Sequence, residues 1–274
     1  MNPFVVVGVD PSEPNRAAVD WAAEEASRRR ADLRLVHARD GGADPDEAQT
    51  LDREWVRVAA QYPEVTVTAE LVDGPPREAL TGSAAGAALL VVGARGSGGF
   101  ARLLVGSTSL HAAAHAPCPV VVVHHAPGAV GGAEGGVVVG VEGRDEESPV
   151  LAYAFETAQR QSLPLVVLHA WSNPLVMGPG HEVPPVYEKE HVEAEHQRLL
   201  TEVLAGWRGR FPGVAVTTSV VRSGAAKELV AAASGHRLVV VGRRGKPSGP
   251  LGRLGSTSQA VVQHAECPVV VVPV

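Results

Sequence analysis

The chain has 274 residues, 45% of them hydrophobic and 20% charged, and a formal net charge of −6. That length suits two domains of about 100–150 residues each, and the composition is that of an ordinary globular protein. The acidic balance argues against binding a nucleic-acid backbone, which needs clustered Lys and Arg. No apolar run approaches the ~20 residues needed to span a bilayer.

Aromatic residues make up only 4% of the chain, so its cores must be built from Val, Leu and Ala. The opening Met1-Asn-Pro-Phe-Val-Val-Val-Gly-Val-Asp10 runs straight into a strand without a basic n-region or a cleavage site. A signal peptide is therefore not expected, and a cytoplasmic location is.

Phe4–Val9 is an unbroken apolar run, the mark of a strand buried on both faces. Ser12 can cap the helix that follows, in which Ala18, Trp21, Ala22 and Ala26 recur at helical spacing and Arg28, Arg29 and Arg30 close the end. Leu33–Ala38 reads as a strand, and Pro45–Gln61 as a helix with Leu51, Trp55 and Val58 on one face. Val65–Val72 alternates as a strand, Pro76–Ala87 is a weak helix, Leu89–Val92 a strand, Ser107–His115 a helix and Val120–Val123 a strand. The stretch Pro127–Gly135, rich in Gly, reads as a linker.

Beyond it the order repeats: Val137–Val141, Pro149–Arg160, Leu165–Ala170, Lys189–Arg208, Ala215–Val221, Ala226–Ser234, Leu238–Val241, Thr257–Gln263 and Val269–Val272. Strands alternating with helices predict an α/β fold: two repeated doubly wound domains, each a five-stranded parallel sheet flanked by helices. The expected boundaries are 1–126, a linker at 127–135, and 136–274. Gly8 and Gly140 are 132 residues apart, as are His37 and His169, whereas Gly93 and Gly242 are 149 apart, as are Cys118 and Cys267. The second copy thus carries a net insertion, placed at Trp171–Glu190, where Pro174, Pro179, Pro184 and Pro185 discourage regular structure.

One frame occurs in both copies. Gly93-Ala94-Arg95-Gly96 is followed by nine residues and then Gly106-Ser107-Thr108; Gly242-Arg243-Arg244-Gly245 is followed by nine residues and then Gly255-Ser256-Thr257. Each frame follows the fourth strand of its copy and leads into a helix. In doubly wound sheets ligands sit at the carboxyl ends of the strands, where strand order reverses. Glycines let backbone approach phosphate closely, and a helix N-terminus offers free N–H groups to an anion. The first strand of each copy ends in a carboxylate, Asp10 or Glu142, able to accept bonds from ribose hydroxyls. A lone GxxG is a common turn; its repetition with matched flanks points to a nucleotide. The frame is not a P-loop, since GxxxxGK[ST] is absent, and not a dinucleotide turn, since the glycines follow the fourth strand.

At these residues the chain closely resembles the universal stress protein family in its tandem form. The family's ATP-binding subgroup carries G-x2-G-x9-G-[S/T], matched at Gly93, Gly96, Gly106 and Ser107 and at Gly242, Gly245, Gly255 and Ser256. Val-Gly-Val-Asp10, Leu-Val-His37-Ala38 and the ending His115-Ala-Pro-Cys-Pro also look like that family. The resemblance implies ATP, with Mg²⁺ only as carried on the nucleotide. Val9 and Asp10 would lie on the ribose and adenine side, and Ala38 and Val92 would frame adenine. Gly93, Arg95, Gly96, Gly106, Ser107, Thr108 and Ser109 would hold phosphates. In the second copy the matching set is Val141, Glu142, Ala170, Val241, Gly242, Arg244, Gly245, Gly255, Ser256, Thr257 and Ser258. Glu142 departs from the usual Asp, Pro247 and Pro250 remove two backbone donors, and Lys246 adds a charge. The sites are therefore expected to differ, with the N-terminal one tighter.

Other residues invite a functional reading. His37 and His169 end the second strand of each copy and are expected to position the loop there. His115 and His264 end helices and are expected to bond to backbone, and His124 and His125 to be solvated. His191 and Glu195 stand one turn apart, a spacing a metal could use, but a solvated helix face looks the same, and no metal site is expected. Arg95, Arg102, Arg243, Arg244 and Arg253 could pair with phosphates or with the other domain. Cys118 and Cys267 lack metal spacing and read as small buried residues.

Neither frame contains a carboxylate, which weakens an efficient kinase or ATPase reading. The leading expectation is an ATP-binding stress or signalling regulator read by a protein partner. The alternatives are a slow ATPase or nucleotidyl enzyme on this scaffold, and an interaction module without nucleotide. In the family the last strands pair across a dimer, so Val120–Val123 and Val269–Val272 are candidates to pair within the chain, with a homodimer open.

Overall fold

The computed structural model describes all residues except 1, 11–12, 40, 42–44, 97–103, 125–134, 143–147, 172–185 and 244–253. The first half runs β1 (Phe4–Gly8), α1 (Glu13–Arg29), β2 (Asp32–Arg39), α2 (Pro45–Gln61), β3 (Val67–Asp73), α3 (Pro76–Ser83), β4 (Leu89–Gly93), α4 (Ser107–His115) and β5 (Val120–Val123). The second half runs β6 (Val137–Gly140), α5 (Pro149–Gln161), β7 (Leu165–Trp171), α6 (Val186–Arg210), β8 (Val216–Arg222), α7 (Ala225–Ala233), β9 (Leu238–Gly242), α8 (Ser256–His264) and β10 (Val269–Val272).

Within each half all strand pairs are parallel. The expected five-stranded sheets are present, and they join. The full order is β3-β2-β1-β4-β5-β10-β9-β6-β7-β8, one sheet of ten strands. The joint is the antiparallel pair β5 and β10, with Val270 opposite Val121. Two all-valine strands that would each be a bare edge cover one another. Because the two halves run in opposite directions, their carboxyl ends face opposite edges of the sheet.

Strands buried on both faces explain the near-absence of polar residues in them. Val5, Val7, Leu33 and Leu35 belong to one apolar layer that includes Ala18, Ala22, Leu51 and Val58 of α1 and α2 and, in the other half, Phe155, Leu200 and Leu204 of α5 and α6. Phe4, Val6, Val36 and Leu90 belong to the layer on the other face, which includes Leu80 and Ala113 of α3 and α4 and, in the other half, Leu229 and Val261 of α7 and α8. Both apolar layers run continuously across the joint.

Polar contacts also cross it. Glu25 of α1, only 1% exposed, receives Arg29 at 2.6 Å, Gln161 of α5 at 3.1 Å and Arg160 of α5 at 3.4 Å. Arg29 donates to the hydroxyl of Tyr153 on α5 at 3.1 Å. Burial first, helped by Glu25 and opposed by Arg29, pushes the Tyr153 phenol up to about 12.

Three local expectations shift. The weak helix stops at Ser83 rather than Ala87, because Ala84–Gly86 turn and Gly86 takes φ +75°. The strand placed at Val65 begins at Val67. Helix α6 has 25 residues against 17 in its counterpart α2, so part of the inserted length lengthens the helix. Ser12, most of the linker and the proline-rich core of the insertion lie outside the described residues.

Candidate functional site

In each half the chain winds outward from its first strand in one direction and then returns to the other side. The reversal falls between β1 and β4, and between β6 and β9. A crevice at the carboxyl end is the geometric consequence. Gly8 lets α3 close beneath it: a Cβ there would lie 2.9 Å from Leu80 Cδ1. Gly140 stands in the same relation to Leu229, at 2.8 Å.

The frames meet these strand ends. Gly106 donates its N–H to the Ala94 carbonyl at 2.7 Å, folding the start of α4 back onto the end of β4. Buried Ser109 donates its hydroxyl to the Gly93 carbonyl at 2.6 Å, and Ser258 does the same to Gly242 at 2.6 Å. Both serines read as phosphate ligands therefore spend their proton tying helix to strand. Gly106 and Gly255 occupy the N-cap positions of α4 and α8 without a side-chain cap, which leaves first-turn N–H groups for an anion.

In the second half, nine residues of the expected set line one cleft of about 300 Å³: Val141, Glu142, Ala170, Val241, Gly242, Gly255, Ser256, Thr257 and Ser258. Glu142 and Ser256 are exposed, Val241 and Ser258 buried. The cleft also takes in Ser148, Leu151, Leu168, Val203 and Leu229, which sequence reasoning missed because each reads as an ordinary core or cap position. Arg244 and Gly245, expected at this site, lie outside the described residues, as do Arg102, Arg253, Lys246, Pro247 and Pro250.

In the first half, Val9, Val92 and Gly93 are buried, Asp10, Ala38, Gly106 and Thr108 half-buried, and Arg95, Gly96 and Ser107 exposed. Gly96 lies directly against Asp10: a Cβ on Gly96 would fall 2.4 Å from the Asp10 Oδ2. Buried Asn15, unanticipated, straps the end of β1. Its Oδ1 accepts the Asp10 N–H at 3.1 Å and its Nδ2 donates to the Gly8 carbonyl at 2.8 Å.

His37 and His169 do position this region. His37 Nδ1 lies 2.7 Å from the Val9 carbonyl, and His169 Nδ1 lies 3.0 Å from the Val141 carbonyl. A carbonyl only accepts, so Nδ1 carries the proton in both. His115 bonds to the His111 carbonyl of its own helix at 3.0 Å.

His124 corrects the expectation of a solvated linker residue. It is half-buried, and its Nε2 reaches the Val262 carbonyl of α8 at 2.8 Å. Burial first, opposed by its carbonyl partners, holds its imidazole below the ordinary range. Arg243 likewise turns to the other half, donating to the Ala116 carbonyl at the end of α4. His125 and His181 lie outside the described residues.

The cysteines are inert by environment. Both are buried, and burial pushes the Cys118 thiol up to about 11 and the Cys267 thiol up to about 12. Among the described residues no group of three His, Cys, Asp or Glu is placed to hold a metal, and none of the helices is long and apolar enough to cross a membrane.

The profile of the Universal stress protein family matches residues 1–124 and again 136–273. The chain belongs to the universal stress protein family. Its two halves are two universal stress protein units in tandem. Universal stress protein Rv2623 of Mycobacterium tuberculosis is 35% identical over 293 aligned positions, covering 97% of this chain and 95% of that one. A universal stress protein of Mycolicibacterium smegmatis is 34% identical, covering 98% and 96%. Among solved structures, a universal stress protein of Archaeoglobus fulgidus superposes with a TM-score of 0.70 at 17% identity, covering 98% of this chain and 96% of that one. A functionally unknown protein of Pseudomonas aeruginosa gives 0.71 at 14%, covering 100% and 93%. At such identities the likeness concerns the universal stress protein fold.

Proposed function

We propose that this universal stress protein binds ATP in each half, at the carboxyl-end crevice, and that the bound state is read by a protein partner. The observation that carries the reading is the second-half cleft. Its walls combine an apolar floor (Leu151, Leu168, Leu229), a strand-end carboxylate (Glu142) and an uncapped helix start (Ser256 and Thr257). Those are the three chemistries of a nucleotide: base, ribose and phosphate. The volume of about 300 Å³ is at the lower end for small-molecule sites.

The one acidic side chain among the described residues of this cleft, Glu142, sits at the strand end rather than in the glycine frame, so Mg²⁺ would be held by the phosphates. With no carboxylate in either frame, the site suits retention of ATP over its turnover. The units we assign are residues 1–126 and 136–274, and the location is the cytoplasm, where ATP is supplied.

The test is mass spectrometry of ligand released from the purified, denatured protein, quantified per chain. Two ATP per chain support a double site, and one supports a single competent half. No ATP, with no thermal shift on adding it, rejects the reading in favour of an interaction module. A site saturated at 100 times Kd stabilises by about 2.7 kcal/mol, well within detection.

A further inference from the structure

Ser148 stands at the N-cap position of α5, just before Pro149. An N-cap serine ordinarily turns its hydroxyl back onto a first-turn N–H. This one makes no such bond, and its hydroxyl has no partner among the described residues. It is nonetheless only 8% exposed, and it lines the second-half cleft. A buried hydroxyl left without a partner costs free energy, which a ligand in the cleft would recover.

The helix behind it is open at the same end. Its first bond runs from the Ala152 N–H to the Ser148 carbonyl at 2.9 Å. Pro149 has no N–H, so those of Val150 and Leu151 are the ones left without a helical acceptor. Both residues line the cleft. Val150 stands on its glycine-frame side, since a Cβ on Gly242 would lie 3.2 Å from Val150 Cγ2. Ser256 and Thr257 open α8 onto the same cleft, behind an N-cap glycine without a side-chain cap. Two helix starts therefore border one cavity, and each carries partial positive charge. No Lys, Arg or His is among the described residues that line it. Within that set, attraction for an anion rests on these backbone groups and on the hydroxyls beside them.

We propose that Ser148 is a phosphate contact of the second nucleotide site, its hydroxyl donating to an oxygen held between the starts of α5 and α8; this deepens the ATP-binding reading given above and rests on it.

The first half is built differently at this place. There Asn15 faces the first glycine of the frame, and a Cβ on Gly93 would lie 3.8 Å from the Asn15 Cα. The Asn15 amide is engaged at both ends, by the Asp10 N–H and the Gly8 carbonyl. A side chain that straps β1 in one half thus has, in the other, a neighbour of the cleft whose hydroxyl straps nothing. Ser148 should serve the second site alone.

The experiment titrates ATP and adenosine calorimetrically into the full chain carrying Ser107→Glu, which sets a carboxylate at the start of α4 and silences the first site. Ser148→Ala should weaken ATP about tenfold or more, the loss of a hydrogen bond to a charged group. Adenosine, which has no phosphate, should stay within about twofold. Ser148→Thr keeps a hydroxyl and should restore ATP binding. Ser148→Asp separates phosphate contact from helix capping, because aspartate caps a helix as well as serine does. Its thermal midpoint should equal or exceed that of the parent chain, while its carboxylate repels the phosphates and ATP binding is lost. With Ser256→Glu in place of Ser107→Glu only the first site remains, and none of the Ser148 variants should then change ATP affinity.

Equal losses of ATP and adenosine in Ser148→Ala, or undiminished ATP binding in Ser148→Asp, overturn the proposal. If the Ser107→Glu chain binds no ATP, the ATP reading of this site fails, and inorganic pyrophosphate decides the contact by itself. A rise in thermal midpoint that Ser148→Asp removes keeps Ser148 as an anion contact. No rise, or one that Ser148→Asp retains, sinks it too.

Discussion

Arg243 meets Ala116 across the joint: its guanidinium donates to the carbonyl of this residue, which caps the C-terminus of helix α4 in the opposite half. Arg243 directly follows Gly242, at the mouth of the second cleft, and its own N–H goes to the Val272 carbonyl. A residue that sequence placed equally with phosphate or with the other domain is thus held by the other domain.

Arg243→Ala should therefore act on stability. Removing a charged donor from a carbonyl is worth about 1.5–3 kcal/mol, reduced here by partial exposure, so a loss of about 1–2 kcal/mol is expected in urea unfolding. ATP affinity at the second site should stay within about twofold. A tenfold fall in affinity at unchanged stability would show that Arg243 swings to the phosphates when they are present.

Glu25 is the group on which the other polar contact of the joint depends. It is 1% exposed and faces Arg29 and Arg160. Glu25→Ala leaves two guanidinium groups largely buried without their carboxylate, a type of change that costs about 3–5 kcal/mol. The exposed pair Arg198 and Glu202, with side chains 78% and 58% accessible, offers the control: Glu202→Ala should change stability by under about 0.5 kcal/mol. Comparable losses in the two variants would show that Glu25 is not the buried anchor its surroundings make it.

The parts of this molecule legible in the sequence were those with a period or a repeat. Apolar runs such as Phe4–Val9 announced strands buried on both faces, and the described ends of the second frame, Gly242 and Gly255–Ser258, line the second-half cleft. The all-valine strands Val120–Val123 and Val269–Val272 were legible as needing a partner. Contacts made by single polar side chains over long separations were not. Asn15 reads as a helix-start residue, yet its amide straps Asp10 and Gly8. Glu25 reads as a solvated helix charge, and only the docking of α5 buries it. His124 follows a strand and precedes a glycine-rich stretch, so nothing local reveals Val262, which lies 138 residues away.

The thiols and Tyr153 predict an alkaline limit. Burial raises Cys118 from 9.0 to about 11, Cys267 from 9.0 to about 12, and Tyr153 from 10.0 to about 12. A group raised in the folded state binds its proton more tightly there than in the unfolded chain. Its contribution is complete below the unfolded value and is lost as pH climbs toward the folded one. Stability should thus decline above about pH 9, by up to about 1.4 kcal/mol per pH unit for each thiol. The Cys118→Ala and Cys267→Ala double variant should show a shallower decline in urea midpoint between about pH 9 and 10.5. In the native wild type neither thiol should react with a disulfide reagent at neutral pH, and both should on unfolding. Fast labelling of the folded chain would contradict the burial of both.

Two glycines separate a constraint of the site from a constraint of the fold. A Cβ on Gly96 would lie 2.4 Å from Asp10 Oδ2, while the Asn15 strap fixes the Asp10 main chain through its N–H, so only the carboxylate can yield. Gly96→Ala must therefore push Asp10 aside. Because Gly96 is exposed, the change should alter stability by under about 0.5 kcal/mol, yet weaken first-site ATP binding about tenfold or more, the loss of one carboxylate hydrogen bond. Gly206 sits within α6 with nothing inside 4 Å of an added Cβ. Gly206→Ala should raise stability by about 0.5–1 kcal/mol, since alanine loses less backbone freedom in a helix, and leave ATP binding unchanged. Calorimetric titration beside urea unfolding on both variants checks the pair. If Gly96→Ala binds ATP as the wild type does, Asp10 is not a ligand of the nucleotide in the first half.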